Sequence, residues 1–219
     1  MSTNSNKQLW RAIHIVGKTF NPKDNDTKAA FVCFFDCLSD LLPDENYRKT
    51  LRSFIQQTPP DKYIGSSEKA FQWTYELHSY VNLVKKKRGQ LTNDISQDQA
   101  ASIYSNITKT DWGNAFWFIM HYIAANLPER LNEQHQTAFI ALIMSIRFLV
   151  PCEECKYHMT EYITKTDIHP FMSNGKTAFQ YTWAFHNTVS TRVKKDIMQF
   201  QDALNLYVDN NKVYSMIDY

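Results

Sequence analysis

Residues 70–81 read AFQWTYELHSYV, and residues 178–189 read AFQYTWAFHNTV. The two stretches lie 108 positions apart, and the same offset carries Ala29–Arg88 onto Thr137–Asp196 without a gap. In that register Ala30 and Phe31 fall on Ala138 and Phe139, Leu41 and Pro43 on Leu149 and Pro151, and Ile55 and Thr58 on Ile163 and Thr166. An offset of 107 places Trp10 and His14 on Trp117 and His121, so one residue is inserted between the two registers. The chain is a tandem duplication, and its fold must be read as two copies of one unit.

Each copy reads as helical. Trp112–Leu127 repeats apolar residues at helical spacing and ends before Pro128. A second helix is expected over about Gln134–Val150, a third starting after Pro151, a residue that suits a helix start, and a fourth over about Gly175–Lys195 after the breaker HPF. No strand-like alternation interrupts them. The expected class is all-α: two tandem four-helix-bundle units, each with room for a short fifth helix. Their bounds are 1–88 and 111–219, joined by a polar linker over 89–110 with room for one short helix. One amphipathic stretch, Ile197–Val208, precedes an irregular tail.

Composition narrows the function. With 43% hydrophobic and 14% aromatic residues in 219, the chain can bury a core without external staples. Its 24 basic and 22 acidic residues nearly cancel, which argues against a nucleic-acid partner or a membrane surface. The polar start, MSTNSNKQLW, lacks the apolar core of a secretory signal, so residence inside a cell is expected. The longest apolar run, Phe139–Val150, is broken by Arg147 and falls well short of the roughly 20 residues of a membrane span.

The four cysteines form two close pairs, Cys33 with Cys37 and Cys152 with Cys155. In VPCEECKYHM (Val150–Met159) the second pair is a CxxC at the start of a helix. Unpaired N–H groups and the dipole there favour thiolate, and one turn brings the two sulfurs within disulfide reach. With His158 the motif also reads as three zinc ligands, although no second ligand pair follows. Two buried structural cysteines are the plain alternative.

Four blocks together resemble the Erv/ALR family of FAD-linked sulfhydryl oxidases, in the family order and over Asp111–Lys195. They are WGNAFWFIMHYIAANLPE from Trp112, PCEEC from Pro151, HPF from His169, and AFQYTWAFHNTVSTRVKK from Ala178. The resemblance implies FAD held non-covalently in the helical bundle beside the CxxC. A substrate dithiol would reduce Cys152–Cys155, with Cys152 the interchange cysteine and Cys155 the flavin-proximal one, and oxygen would accept the electrons to give hydrogen peroxide. It also implies a cofactor site built from Trp112, Gly113, Trp117, His121, His158, His186, Asn187, Ser190 and Lys195, with Arg192 and Lys194 as further phosphate partners. No metal is implied. Outside the family pattern, each aromatic would read as core, each histidine as a satisfied core residue and each lysine as a solvated helix end.

The chain departs from that pattern at Ser190, where the family has asparagine, and at Tyr181, where tryptophan is common. It also lacks a downstream cysteine for a structural disulfide and a CxC or C-terminal CxxC shuttle. In the first copy, Asp44 and Tyr47 stand at the positions of Cys152 and Cys155, and Ser79 at that of Asn187. That copy is expected to keep the helices without the flavin or the turnover. Cys33 and Cys37 read either as core residues or as a shuttle pair. The pairing of an intact with a degenerate copy resembles the divergent sulfhydryl oxidases of some large DNA viruses. It implies an intrachain pseudo-dimer, open to further homodimerisation, acting on protein dithiols in host cytoplasm or virion. A catalytically silent helical scaffold is the competing reading.

Overall fold

A computed structural model describes residues 3–90, 92 and 94–208. Among them are ten α-helices and no strand: α1 (Thr3–Thr19), α2 (Asn25–Leu41), α3 (Glu45–Gln57), α4 (Ser67–Lys87), α5 (Gln97–Ile103), α6 (Lys109–Ala125), α7 (Glu133–Leu149), α8 (Glu153–Lys165), α9 (Gly175–Arg192) and α10 (Phe200–Val208). Short 3-10 turns at Pro60–Lys62 and His169–Phe171 occupy the same place in the two halves.

Local chemistry sets the helix starts. Asp24, Asp44, Ser66, Asn132 and Asn174 each accept a backbone N–H from the first turn that follows. Ser96 and Thr108 form reciprocal capping boxes with Gln99 and Asp111. α8 starts after Pro151, as its sequence suggests: Cys152 is the cap and the helix begins at Glu153. A proline biases the residue before it towards extended backbone, and Val150 has φ −60° and ψ 124°.

The expected linker carries structure of its own. α5 packs on α4 much as α10 packs on α9. Tyr104, just past α5, leans on His14 and Phe71 (5.2 and 5.8 Å between centroids), as Tyr207 of α10 leans on His121 and Phe179 (5.0 and 5.8 Å). The stretch before α6 therefore supplies the fifth helix of the N-terminal unit. The tail beyond Val208 lies outside the described residues.

The units meet along α1–α6 and, most extensively, along α2–α7, so the pseudo-dimer forms within one chain. One apolar cluster, including Phe31, Phe34, Trp73, Phe139, Phe179 and Tyr181, runs through both halves. Polar ties cross the seam from Arg11 to Asp111 and from Lys23 to Glu153, both at 2.6 Å. No helix among the described residues is long and apolar enough to cross a membrane.

Candidate active site

Cys152 and Cys155 are disulfide-bonded, with Cα atoms 5.2 Å apart, well inside the range a disulfide spans. The Cys152 sulfur also accepts the Cys155 N–H at 3.3 Å, standing in for a helix cap. At the equivalent position of the first unit, Asp44 accepts from Asn46 and Tyr47 N–H at 2.8 and 3.2 Å. Aspartate is a preferred cap and cysteine is not. The C-terminal unit thus gives up a better cap to hold a sulfur at the positive end of α8, where thiolate is favoured. Both cysteines are half-buried, beside the exposed Glu153 and Glu154.

In the same unit, α6 and α9 present a ring cluster. Trp117 stacks on His186 with centroids 4.1 Å apart and planes 7° from parallel. His186 Nδ1 lies 2.9 Å from His121 Nε2, and His121 Nδ1 lies 2.9 Å from Thr182 Oγ1. The direction of this chain can be deduced. The Thr182 hydroxyl donates to the Phe179 carbonyl, so it accepts from His121 Nδ1–H; His121 Nε2 then accepts from His186 Nδ1–H. His121, donating at one ring nitrogen and accepting at the other, must be neutral. Burial lowers the His186 pKa to about 4, helped by the Lys195 charge, and drives that of His121 well below its ordinary value, helped by His186.

The N-terminal unit reproduces the cluster. Trp10 stacks on His78 at 3.9 Å and 3°, His78 Nδ1 lies 3.0 Å from His14 Nε2, and His14 Nδ1 lies 3.1 Å from Thr74 Oγ1. The surroundings differ. Space beside Gly113 is open, with no atom within 4 Å of where a Cβ would stand. At the matching position Asn6 accepts a 2.8 Å hydrogen bond from the Tyr47 hydroxyl, Tyr47 replaces Cys155, and Lys85 lies over the Tyr47 ring at 5.1 Å. Asp94 then binds Asn82 at 3.0 Å and pairs with Lys86. The residue corresponding to Asp94 in the C-terminal unit is Ile197, 52% exposed. This match follows from Tyr75 and Trp183, which donate alike to the Ile95 and Met198 carbonyls.

The remaining predicted residues divide. Trp112 and Trp117 are half-buried, and Ser190 is buried with its carbonyl accepting the Lys195 N–H at 2.9 Å. Asn187 donates to the Met198 carbonyl at 3.3 Å. Lys194, at φ 57°, and Lys195 are exposed at the end of α9. Arg192 is bonded to Glu161 at 3.0 Å, so its cation is already engaged. His158 Nε2 lies 3.6 Å from Glu154, and its buried Nδ1 has no hydrogen-bond partner. Among the described residues no group of three or more His, Cys, Asp or Glu is arranged to hold a metal. Sequence reasoning missed Thr182 and Tyr207. Thr182 was visible in the repeated AFQxT; Tyr207 falls 103 rather than 108 residues after Tyr104, outside the register.

The Erv1 / Alr family profile matches residues 7–100 and again 114–209. A putative FAD-linked sulfhydryl oxidase of Invertebrate iridescent virus 3 is 34% identical over 96 residues, 44% of this chain and 65% of the viral protein. An FAD-linked sulfhydryl oxidase of African swine fever virus is 33% identical over 97 residues, 44% of this chain and 79% of its own length. A plant protein of that name, from Oryza sativa, is 30% identical over 96 residues, 43% of this chain and 48% of its own. The chain belongs to the Erv1 / Alr family, and carries its domain twice.

Proposed function

We infer that the chain is an FAD-dependent sulfhydryl oxidase that forms disulfides in protein substrates, with the chemistry confined to its C-terminal unit. The observation that carries this is the Cys152–Cys155 disulfide at the start of α8, in the unit that holds the open Trp117–His186 cluster.

The residues fit the cofactor. Gly113 leaves room for a flat ring, Trp117 and His186 provide stacking surface, and Lys194 and Lys195 offer cations for a pyrophosphate. The corresponding space of the N-terminal unit is taken by its own side chains: Tyr47 and Asn6 beside the cluster, and the Asp94 carboxylate against Asn82 and Lys86. The chain therefore takes one FAD, and its first unit serves as the permanent partner of the second. Viral relatives support action in host cytoplasm or virion.

In the reaction, a substrate thiolate attacks the Cys152 sulfur. The Cys152–Cys155 bond breaks, its electron pair stays on Cys155 as thiolate, and the substrate is held on Cys152 as a mixed disulfide. A second substrate thiolate then attacks the substrate sulfur and expels Cys152 thiolate, leaving a substrate disulfide. The α8 N-terminus stabilises each thiolate as it forms. FAD, when bound, supplies the two-electron acceptor that returns the dithiol to the disulfide and passes the electrons to oxygen as hydrogen peroxide. Purified protein is expected to be yellow and to release peroxide on addition of a dithiol; folded protein that takes up no flavin would overturn the reading.

A further inference from the structure

Cys33 and Cys37 take no part in the chemistry above. They are free, four residues apart on α2, and their sulfurs lie 3.8 Å from one another. Neither stands on a cysteine in the repeat: their counterparts are Ala141 and Ser145. The thiol of Cys33 faces the Ala141 carbonyl across the seam at 3.9 Å.

In a thiol oxidase, the obvious fate of a close dithiol is a disulfide, but helix geometry opposes it. Side chains four apart hold their Cβ atoms about 5–6 Å from one another, whereas a disulfide needs about 3.5–4.5 Å. The pair stays a dithiol unless α2 is broken. A metal ion has no such difficulty. With metal–sulfur bonds of about 2.3 Å, sulfurs at this separation subtend an angle of about 110°, the tetrahedral value.

We propose that Cys33 and Cys37 form a binding site for a single thiophilic d10 metal ion, Zn(II) or Cu(I), at the seam between α2 and α7. Access comes from the cleft between these helices, which Cys37 lines with Asp36, Asp40, Glu133, Thr137 and Ala141. Asp40 is paired with Arg52, which leaves the Asp36 and Glu133 carboxylates at its mouth to favour an incoming cation. Among the described residues no third His, Cys, Asp or Glu joins the sulfurs, so water completes the coordination and the ion is exchangeable. Binding is not a redox step. Each thiol loses its proton as its sulfur bonds the ion, so two protons leave for each metal bound.

The test uses flavin-loaded protein with Cys152–Cys155 left oxidised, so that this pair cannot act as a ligand. Native mass spectrometry would follow uptake of zinc chloride in one arm and of Cu(I) supplied as its acetonitrile complex in the other. One ion per chain is expected in at least one arm, with at least a tenfold loss of affinity in Cys33→Ser and in Cys37→Ala. A Cys152→Ser, Cys155→Ser double variant should retain it. Flavin content and helical circular dichroism of the single variants establish that they are folded. No uptake in either arm by the parent protein, or equal uptake by folded Cys33→Ser, would overturn the proposal. Neither result bears on the oxidase reading, which rests on the other cysteine pair.

Discussion

The Tyr47 hydroxyl donates to Asn6 Oδ1 at 2.8 Å, and these two residues stand where the C-terminal unit has Cys155 and Gly113. The N-terminal unit has thus filled with its own side chains the space that its twin keeps open. We expect one flavin per chain, read from the ratio of visible to ultraviolet absorbance after exhaustive loading. A ratio of two would show that the Tyr47–Asn6 contact opens for a ligand.

The two redox cysteines should separate chemistry from cofactor binding. Cys152→Ser and Cys155→Ser are each expected to lower dithiol-dependent peroxide release by more than about 100-fold. Both should keep the yellow colour. Loss of flavin from either variant would mean that the disulfide itself shapes the pocket.

His186 and His78 make the same contact in opposite units, so they form an internal control. Truncating either to alanine leaves a buried imidazole nitrogen without its donor, a cost of about 1–3 kcal/mol in stability. Only His186→Ala should also weaken flavin binding, by about tenfold or more, as measured by equilibrium titration. Equal flavin loss in His78→Ala would remove the asymmetry between the units.

Stability should fall with acid. His78 and His186 are lowered to about 4 and His14 to about 3, while His121 is also depressed; the ordinary value is 6.5. The unfolded chain therefore binds protons that the folded chain refuses. The stabilisation is complete above pH 6.5 and drains away as pH falls towards 4, at up to about 1.4 kcal/mol per pH unit for each histidine. Urea midpoints at pH 7.5 and pH 5 should show the drop, and replacing both His14 and His78 by glutamine should reduce it.

Two glycines should respond oppositely to alanine. At Gly175 a Cβ would lie 2.5 Å from the Leu127 carbonyl oxygen, which is backbone and cannot yield, so Gly175→Ala should cost about 1–3 kcal/mol. At Gly113 a methyl enters open space in α6, and the helix should gain up to about 1 kcal/mol. Gly113→Ala should nevertheless bind flavin less tightly, because that space is what the ring requires. Thermal melts of flavin-free protein, paired with flavin titration, would distinguish these outcomes.

Much of this was legible in the chain. The 108-residue offset announced two units, the CEEC run marked the turn that carries the disulfide, and Trp10 and His14 repeated Trp117 and His121. What escaped depends on tertiary contact. α5 is short, with Ala100 its sole buried residue, and its place as the fifth helix of the N-terminal unit is seen only when Tyr104 lies against His14. Asp94 is an ordinary loop carboxylate until Asn82 and Lys86 converge on it.

The meeting of α2 with α7 on a single polypeptide changes how this pairing responds to dilution. Two separate subunits drift apart as their number per volume drops. Here each half encounters the other at an effective concentration set by the peptide that joins them. A few molecules in a large compartment would be as fully paired as a concentrated solution, and the functional unit would be complete from the moment one chain is made.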